Sequence, residues 1–219
     1  MTISLRTAAK GRRRTESKSF GEIDDRALVA LVRGGEAAAF EALYERHHRP
    51  LFRTALAMTR RKHVAEDVLQ EAFLRAYRHI GRVRLEDGAS LRPWLHRILI
   101  NLIYDRSARK RLPSGPLETV VGRLASRAQS PERRFERREM AGVVDEAIAA
   151  LPDNHRAVVV LFYVHDMDVA EIALTLGVPE GTVKSRLFYA RARLREALGA
   201  DRRLERQVAV GEVVRHALS

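Results

Sequence analysis

Apolar residues recur every three or four positions along most of this chain, which is the spacing that gathers them on one face of an α-helix. A first block of such helices extends from residue 24 to about residue 112, and a second extends from residue 139 to residue 198. Neither block contains the strict alternation of a β-strand or a repeated strand–helix unit. The pattern therefore predicts an all-α protein built from two helical domains.

The segments outside the two blocks have little helical periodicity. Residues 113–138 contain three prolines and no regular apolar spacing, which predicts a flexible linker between the domains over 24–112 and 139–198. Residues 1–23 are basic and contain little to bury, so we predict a disordered arm. Residues 199–219 form a C-terminal extension with only a weak helical pattern.

The C-terminal domain contains the pattern of a helix-turn-helix. Ile172, Ala173 and Leu176 form the apolar face of a short helix that ends at Gly177. A glycine at this position permits the backbone conformation that such a turn requires. The following helix is predicted over residues 180–198. Its predicted buried face consists of Val183, Leu187, Ala190 and Leu194.

The opposite side of that following helix combines small, aromatic and cationic residues. Its central stripe consists of Gly181, Ser185, Phe188, Tyr189 and Ala192. The cations that border the stripe are Lys184, Arg186, Arg191, Arg193 and Arg195. Such a surface fits the major groove of DNA, with the stripe against base edges and the cations against phosphates. The residues predicted to contact the duplex are Thr182, Lys184, Ser185, Arg186, Tyr189 and Arg191.

The charge of the whole chain favours a polyanionic partner. Lysine and arginine number 40 against 28 aspartate and glutamate residues, which gives a formal net charge of +12. Such an excess indicates nucleic acid first and an anionic membrane surface second. No apolar run approaches the ~20 residues that a membrane-spanning helix needs, so no membrane insertion is predicted.

The helix predicted over residues 64–80 carries an acidic patch that is unusual on so basic a chain. Asp67, Gln70, Glu71 and Leu74 lie on the side opposite its apolar face. A leucine exposed among carboxylates indicates a protein partner with a basic and apolar surface rather than DNA. We therefore predict a protein-binding site at these four residues.

A later helix begins near Pro93 and presents aromatic, amide and cationic side chains away from its apolar face. The residues predicted to contact DNA on this helix are Arg97, Asn101, Tyr104, Arg109 and Lys110. This mixture suits a strand with unstacked bases, because rings stack on bases and cations neutralise phosphates. The inward face is predicted to consist of Leu95, Ile98, Leu99, Leu102 and Ile103, with Trp94 as a buried anchor.

These motifs resemble those of the extracytoplasmic-function sigma factors of bacterial RNA polymerase. Residues 139–198 are similar to the promoter-reading region 4 of that family, above all in the motifs EIA and GTVKSRL that begin at Glu171 and Gly181. Residues 24–112 are similar to region 2, above all in the motif AEDVLQE that begins at Ala65. The family commonly carries a polar or basic pair where this chain has Phe188 and Tyr189.

The resemblance implies a promoter-specificity subunit that directs transcription initiation. The acidic patch would bind the clamp helices of the polymerase largest subunit. The face of Asn101 and the loop over residues 82–92 would capture the melted start-proximal promoter box, and the helix of Ser185 would read the upstream box as a duplex. The resemblance also implies core RNA polymerase, promoter DNA and an inhibitory anti-sigma factor as partners, and a cytoplasmic location.

Other chemistries find little support in the sequence. The chain has no cysteine, which excludes disulfides, thiolate metal sites and a cysteine nucleophile. His47 and His48 adjoin Glu45, but no HExxH motif or further ligand set accompanies them. No phosphate-binding loop or nucleophile elbow occurs either. We therefore predict no catalytic residue, metal site or cofactor, and not an enzyme.

The alternative hypothesis is a stand-alone transcriptional regulator that uses the helix-turn-helix as a dimer on paired half-sites. It would leave the acidic patch and the basic, aromatic helix around Asn101 without a role. The two hypotheses differ measurably, because a regulator binds duplex promoter by itself whereas a sigma subunit needs core polymerase. A helical interaction protein without a DNA role would support no promoter-dependent transcription.

Overall fold

The computed structural model describes residues 20–86, 88–110, 144 and 146–199, and within these ranges it contains helices and no strand. The all-α prediction is therefore confirmed. The helices are α1 (Asp25–Arg33), α2 (Ala37–Thr59), α3 (Lys62–His79), α4 (Arg92–Lys110), α5 (Asp153–Tyr163), α6 (Val169–Leu176) and α7 (Glu180–Gly199). A 3₁₀ turn, Ile80–Arg82, follows α3. The predicted linker, the arm before residue 20 and the extension beyond residue 199 lie outside the described residues.

Side-chain caps explain where several of these helices begin. The carboxylate of Asp24 accepts a hydrogen bond from the backbone N–H of Ala27 at 2.7 Å at the start of α1. At the start of α6, Asp168 and Glu171 form a reciprocal capping box. Helix α2 continues through Pro50.

Buried apolar residues join the two halves of the chain. The N-terminal half, α1 to α4, is centred on fully buried residues such as Leu28, Leu43 and Leu99. The same buried cluster continues into the C-terminal half, which comprises the described residues from 144 onward. Its members there are Ala157, Val158, Leu161, Met167, Ile172, Val183 and Leu187. The two predicted helical domains contact each other, with α4 packed against α6 and α2 against α5.

A buried carboxylate fixes the start of α4. Oδ2 of Asp25 accepts a hydrogen bond from the backbone N–H of Leu91 at 2.6 Å and lies 3.0 Å from both the Ser90 hydroxyl and Nε2 of His47. Burial opposes ionisation of Asp25, but its bonds to His47, Leu91 and Arg46 hold its pKa well below the ordinary value. The network ties the end of the 83–91 loop to α1 and α2.

Candidate nucleic-acid and protein interfaces

The turn between α6 and α7 has the geometry of a helix-turn-helix. Gly177 adopts the left-handed conformation with φ of 65°, and the backbone N–H of Val178 donates to the carbonyl of Ala173 at 3.1 Å. Helices α6 and α7 pack against each other. The buried face of α7 consists of Val183, Leu187, Ala190 and Leu194, as the helical spacing predicted.

The outward stripe of α7 is exposed along its length. Phe188 is 68% exposed and Tyr189 is 61% exposed, and their ring centroids lie 5.6 Å apart in an edge-to-face arrangement. Ser185, one turn earlier, is also exposed, and its hydroxyl donates to the carbonyl of the half-buried Thr182. Both rings therefore expose most of their surface to water beside a small polar residue.

The predicted cations of α7 differ in how firmly the protein holds them. Lys184 is exposed, with its Nζ 3.5 Å from Oε2 of Glu180 one turn earlier. Arg191 is oriented, because its Nε donates to the hydroxyl of Tyr163 at 2.7 Å and its guanidinium lies 5.3 Å from the ring centre of Phe162. The side chain of Arg186 is half-buried.

Three of the DNA contacts predicted on α4 are exposed to solvent, and a fourth is half-buried. Arg97, Asn101 and Arg109 are exposed, and Lys110 is the last residue of the helix. Tyr104 is half-buried, and its hydroxyl oxygen is fully buried without a hydrogen-bond partner among the described residues. Burial raises the pKa of Tyr104 to about 12, and the charges of Arg186, Asp153 and Arg156 also act on it.

Two residues of α4 lie deeper than the helical pattern indicates. Tyr104 was expected on the side opposite the apolar face but is half-buried, and Ile100, which was not assigned to the inward face, is buried. The reason is that α4 packs against α6 of the C-terminal half as well as against α2 and α3. Trp94, predicted as a buried anchor, is only partly buried.

The acidic patch on α3 lies at the surface. Asp67, Gln70 and Leu74 are exposed, and Glu71 is half-buried. Oε1 of Glu71 accepts a hydrogen bond from Nε of Arg75 at 2.9 Å, and Oδ2 of Asp67 lies 3.4 Å from Nη2 of Arg106 in α4. These exposed ion pairs stabilise the fold little, so both carboxylates can exchange their partners for cations on another protein.

An apolar groove adjoins the acidic patch, with a volume of about 440 Å³. It is lined by Phe40, Tyr44, Glu66, Leu69, Gln70, Phe73, Leu74 and Tyr77. Leu74 is 46% exposed and Tyr77 is 56% exposed. The sequence analysis missed the aromatic members. Their signal was the four-residue spacing of Phe40 with Tyr44 and of Phe73 with Tyr77, which puts each pair on one helix face.

Similarity to known proteins covers both halves of the chain. Residues 43–112 match the family described as Sigma-70 region 2, and residues 141–194 match Sigma-70, region 4. The chain is 41% identical over 179 residues to the ECF RNA polymerase sigma factor SigM of Mycobacterium tuberculosis, which covers 81% of this chain and 86% of that protein.

Two solved structures show the same fold. The chain is similar to CnrH in its complex with the cytosolic domain of CnrY, with a TM-score of 0.58 and 26% identity over 81% of this chain and 98% of that one. It is also similar to the sigma factor RpoE of Bartonella quintana in its complex with the anti-sigma factor NepR. That TM-score is 0.59, with 23% identity over 74% of this chain and 98% of that one.

Proposed function

Because the chain belongs to the extracytoplasmic-function sigma factors of the sigma-70 family, it is a promoter-specificity subunit of bacterial RNA polymerase, and we propose which surfaces carry out that function. The observation that carries the assignment is the presence of both conserved regions in one chain and in the family's order. A stand-alone regulator would account for the helix-turn-helix alone and would leave the match over residues 43–112 unexplained.

The acidic patch and the apolar groove beside it form the polymerase-binding surface. Carboxylates at Asp67 and Glu71 attract a basic partner, and the exposed Leu74 and Tyr77 offer apolar contact area next to them. A patch that combines charge with exposed hydrocarbon is typical of a protein interface rather than of a solvated surface. The clamp helices of the polymerase largest subunit are the partner that the family resemblance implies.

Helix α4 forms the surface that holds the opened start-proximal box. Arg97 and Arg109 supply positive charge for phosphates, and Asn101 supplies an amide that can donate to and accept from exposed base edges. Tyr104 would add a stacking platform once its ring is uncovered. Their exposure along one helix supports this assignment for Arg97, Asn101 and Arg109, while Tyr104 requires a rearrangement.

Helix α7 forms the surface that reads the upstream box as duplex DNA. Its exposed stripe suits base edges, and Lys184, Arg186 and Arg191 suit the flanking phosphates. Phe188 and Tyr189 give this stripe an apolar character, and aromatic or methyl-bearing side chains are suited to the C5-methyl group of thymine. We therefore expect thymine in the upstream box of the promoters that this protein selects.

The remaining partner is an inhibitory protein. The family resemblance implies an anti-sigma factor, and the similar chains CnrH and RpoE were each solved with a bound partner. Such an inhibitor would compete for the same surfaces that bind polymerase and DNA. The chain would act in the cytoplasm, where the polymerase works. Within the part of the chain that the structure describes, no helix is long and apolar enough to cross a membrane.

Charge reversal in the acidic patch tests the polymerase-binding surface. The double variant Asp67→Lys and Glu71→Lys should lose co-purification with core polymerase, because both carboxylates would then repel a basic partner. Glu196→Lys, at an exposed position near the end of α7, is the matched control and should co-purify normally. Far-UV circular dichroism should show equal helix content in both variants. Normal recovery of polymerase with the double variant would contradict this placement.

A further inference from the structure

One arginine of α7 is bound to the helix that packs behind it. Nε of Arg191 donates a hydrogen bond to the phenol oxygen of Tyr163, the last residue of α5, at 2.7 Å. The central carbon of its guanidinium lies 5.3 Å from the ring centre of Phe162 and 5.7 Å from that of Tyr163. One hydrogen bond and two aromatic rings therefore define the position of this guanidinium.

The two rings are themselves held by the fold. Tyr163 is buried in an apolar cluster that includes Val159 of α5 and Ala190 and Leu194 of α7. The ring of Phe162 packs edge-to-face on that of Tyr163, with the ring centres 5.0 Å apart. The core of the C-terminal half thus sets the position of the phenol oxygen, and through it the position of Arg191.

The bond to Tyr163 uses the part of the guanidinium that a phosphate needs least. Arginine has five N–H donors, of which Nε carries one and the two Nη atoms carry four. Arginine holds a phosphate most firmly through two parallel N–H···O bonds, which the two Nη atoms can supply together. The bond made by Nε of Arg191 therefore does not compete with a phosphate bound at its Nη atoms.

Arg191 also lies where the DNA backbone is expected. It follows the exposed Lys184 by two turns on the same side of α7, roughly 10 Å farther along the helix. The two cations differ in how they are held, because Lys184 forms only an exposed ion pair with Glu180, at 3.5 Å, and such pairs restrict a side chain little. Arg191 is half-buried and its conformation is restricted before DNA binds. Binding of a phosphate then requires less loss of rotamer freedom.

We propose that Tyr163 is a positioning residue for promoter recognition, which directs the guanidinium of Arg191 toward a phosphate of the upstream duplex. This inference rests on the proposed function of α7, and it gives a task to a buried residue that does not touch DNA. Tyr163 acts through Arg191, so loss of its hydroxyl matters only while Arg191 is present. If the pair served only to stabilise the fold, neither side chain would change the salt dependence of DNA binding.

A double-mutant cycle in the holoenzyme tests the proposal. The probe is a duplex promoter that the wild-type holoenzyme selects from a library randomised in the upstream box. Tyr163→Phe keeps the ring, removes the hydroxyl and should weaken binding about threefold. Arg191→Ala should weaken binding about tenfold and reduce the slope of log affinity against log salt by about one. In the Arg191→Ala background, Tyr163→Phe should have no further effect.

Two outcomes of this cycle would overturn the proposal. An equal effect of Tyr163→Phe with and without Arg191 would show that the hydroxyl acts by another route. A salt slope unchanged by Arg191→Ala would assign the arginine to the fold alone. Thr175→Val is the matched control, because it removes a buried hydroxyl that donates to the carbonyl of Glu171 within α6. It should change neither the affinity nor the slope.

The orientation of Arg191 can be measured separately in the free chain by nuclear magnetic resonance. The Nε–H signal, assigned by its loss in Arg191→Lys, should exchange with water about tenfold more slowly in the wild type than in Tyr163→Phe, because the phenol oxygen holds that proton. Equal exchange rates would overturn the proposed orientation. A chain that shows this orientation but never assembles with core polymerase would instead contradict the proposed function, and with it the DNA contact of Arg191.

Discussion

Two buried histidines at the contact between the halves show how single residues make this fold sensitive to acid. The rings of His96 and His165 lie 4.7 Å apart, and Nδ1 of His96 lies 2.9 Å from the carbonyl oxygen of Arg92. Burial, followed by the charge of His165, lowers the pKa of His96 to about 3. Burial, followed by the charges of Arg53 and Arg92, lowers the pKa of His165 to about 4.

These lowered pKa values predict that acid destabilises the protein. Both histidines stay neutral in the folded chain at pH 5, whereas the unfolded chain binds protons below about pH 6.5. The stability they contribute is complete above that pH and is lost as the pH falls toward the folded pKa. The free energy of unfolding in urea should decrease by about 2 kcal/mol per histidine between pH 7.5 and pH 5.

Substitution identifies the histidine that is responsible. His96→Leu keeps a buried side chain of similar size and removes an imidazole whose Nε2 has no partner among the described residues. This variant should lose about half of the acid dependence, since two histidines share it. His79→Leu, at an exposed position of α3, is the control and should retain all of it. An acid dependence in His96→Leu equal to that of the control would contradict the role of His96.

A second effect at the scale of one residue concerns promoter choice. Tyr189 stands exposed on the outward stripe of α7. Tyr189→Ala should change the preferred base at one position of the upstream box, because apolar contacts to bases carry sequence information. Transcription from promoters randomised in that box would measure the preference. A uniform loss across all boxes would instead indicate a phosphate contact.

At the scale of elements, the turn between α6 and α7 depends on its glycine. Gly177→Ala should destabilise the chain by about 1–2 kcal/mol, because a Cβ is unfavourable at the left-handed conformation of that residue. The added carbon would also lie 3.3 Å from Nη2 of Arg97, whose side chain would have to shift slightly. Gly181→Ala is the matched control within the same motif. It lies inside α7 with open space around it, so alanine should stabilise the helix by up to about 1 kcal/mol. Urea unfolding distinguishes the two, and effects of the same sign would contradict this explanation.

The elements themselves follow closely from the sequence. The helical spacing identified α3, α6 and α7 to within two residues at either end, and it placed Val183 and Leu194 on the buried side of α7. These helix bounds and this buried face depend on contacts between neighbouring turns or neighbouring helices. The position of a residue on its own helix is therefore enough to predict them.

The elements also mark where sequence periodicity fails. It did not identify Ile100 as buried, and it placed Tyr104 on a free face, because α4 packs against two different sets of helices. It also missed the groove lined by Phe40 and Tyr77, which forms only when α2 and α3 come together. Contacts between residues far apart in sequence depend on the tertiary arrangement, which a local pattern does not encode.

At the scale of the whole molecule, the positive charge contributes to promoter binding through the release of counterions. Lys184 is an exposed cation beside the outward stripe of α7. Lys184→Ala in the holoenzyme should weaken binding to all upstream boxes alike and reduce the slope of log affinity against log salt by about one. Lys62→Ala, which removes an exposed cation from α3, should leave the slope unchanged. Equal slopes in the two variants would contradict a phosphate contact at Lys184.

The hydrophobic cluster that runs from Leu99 to Val158 and Ile172 has a consequence for storage of the protein in the cell. A chain that buries this apolar surface within itself exposes less of it for aggregation or for binding by chaperones.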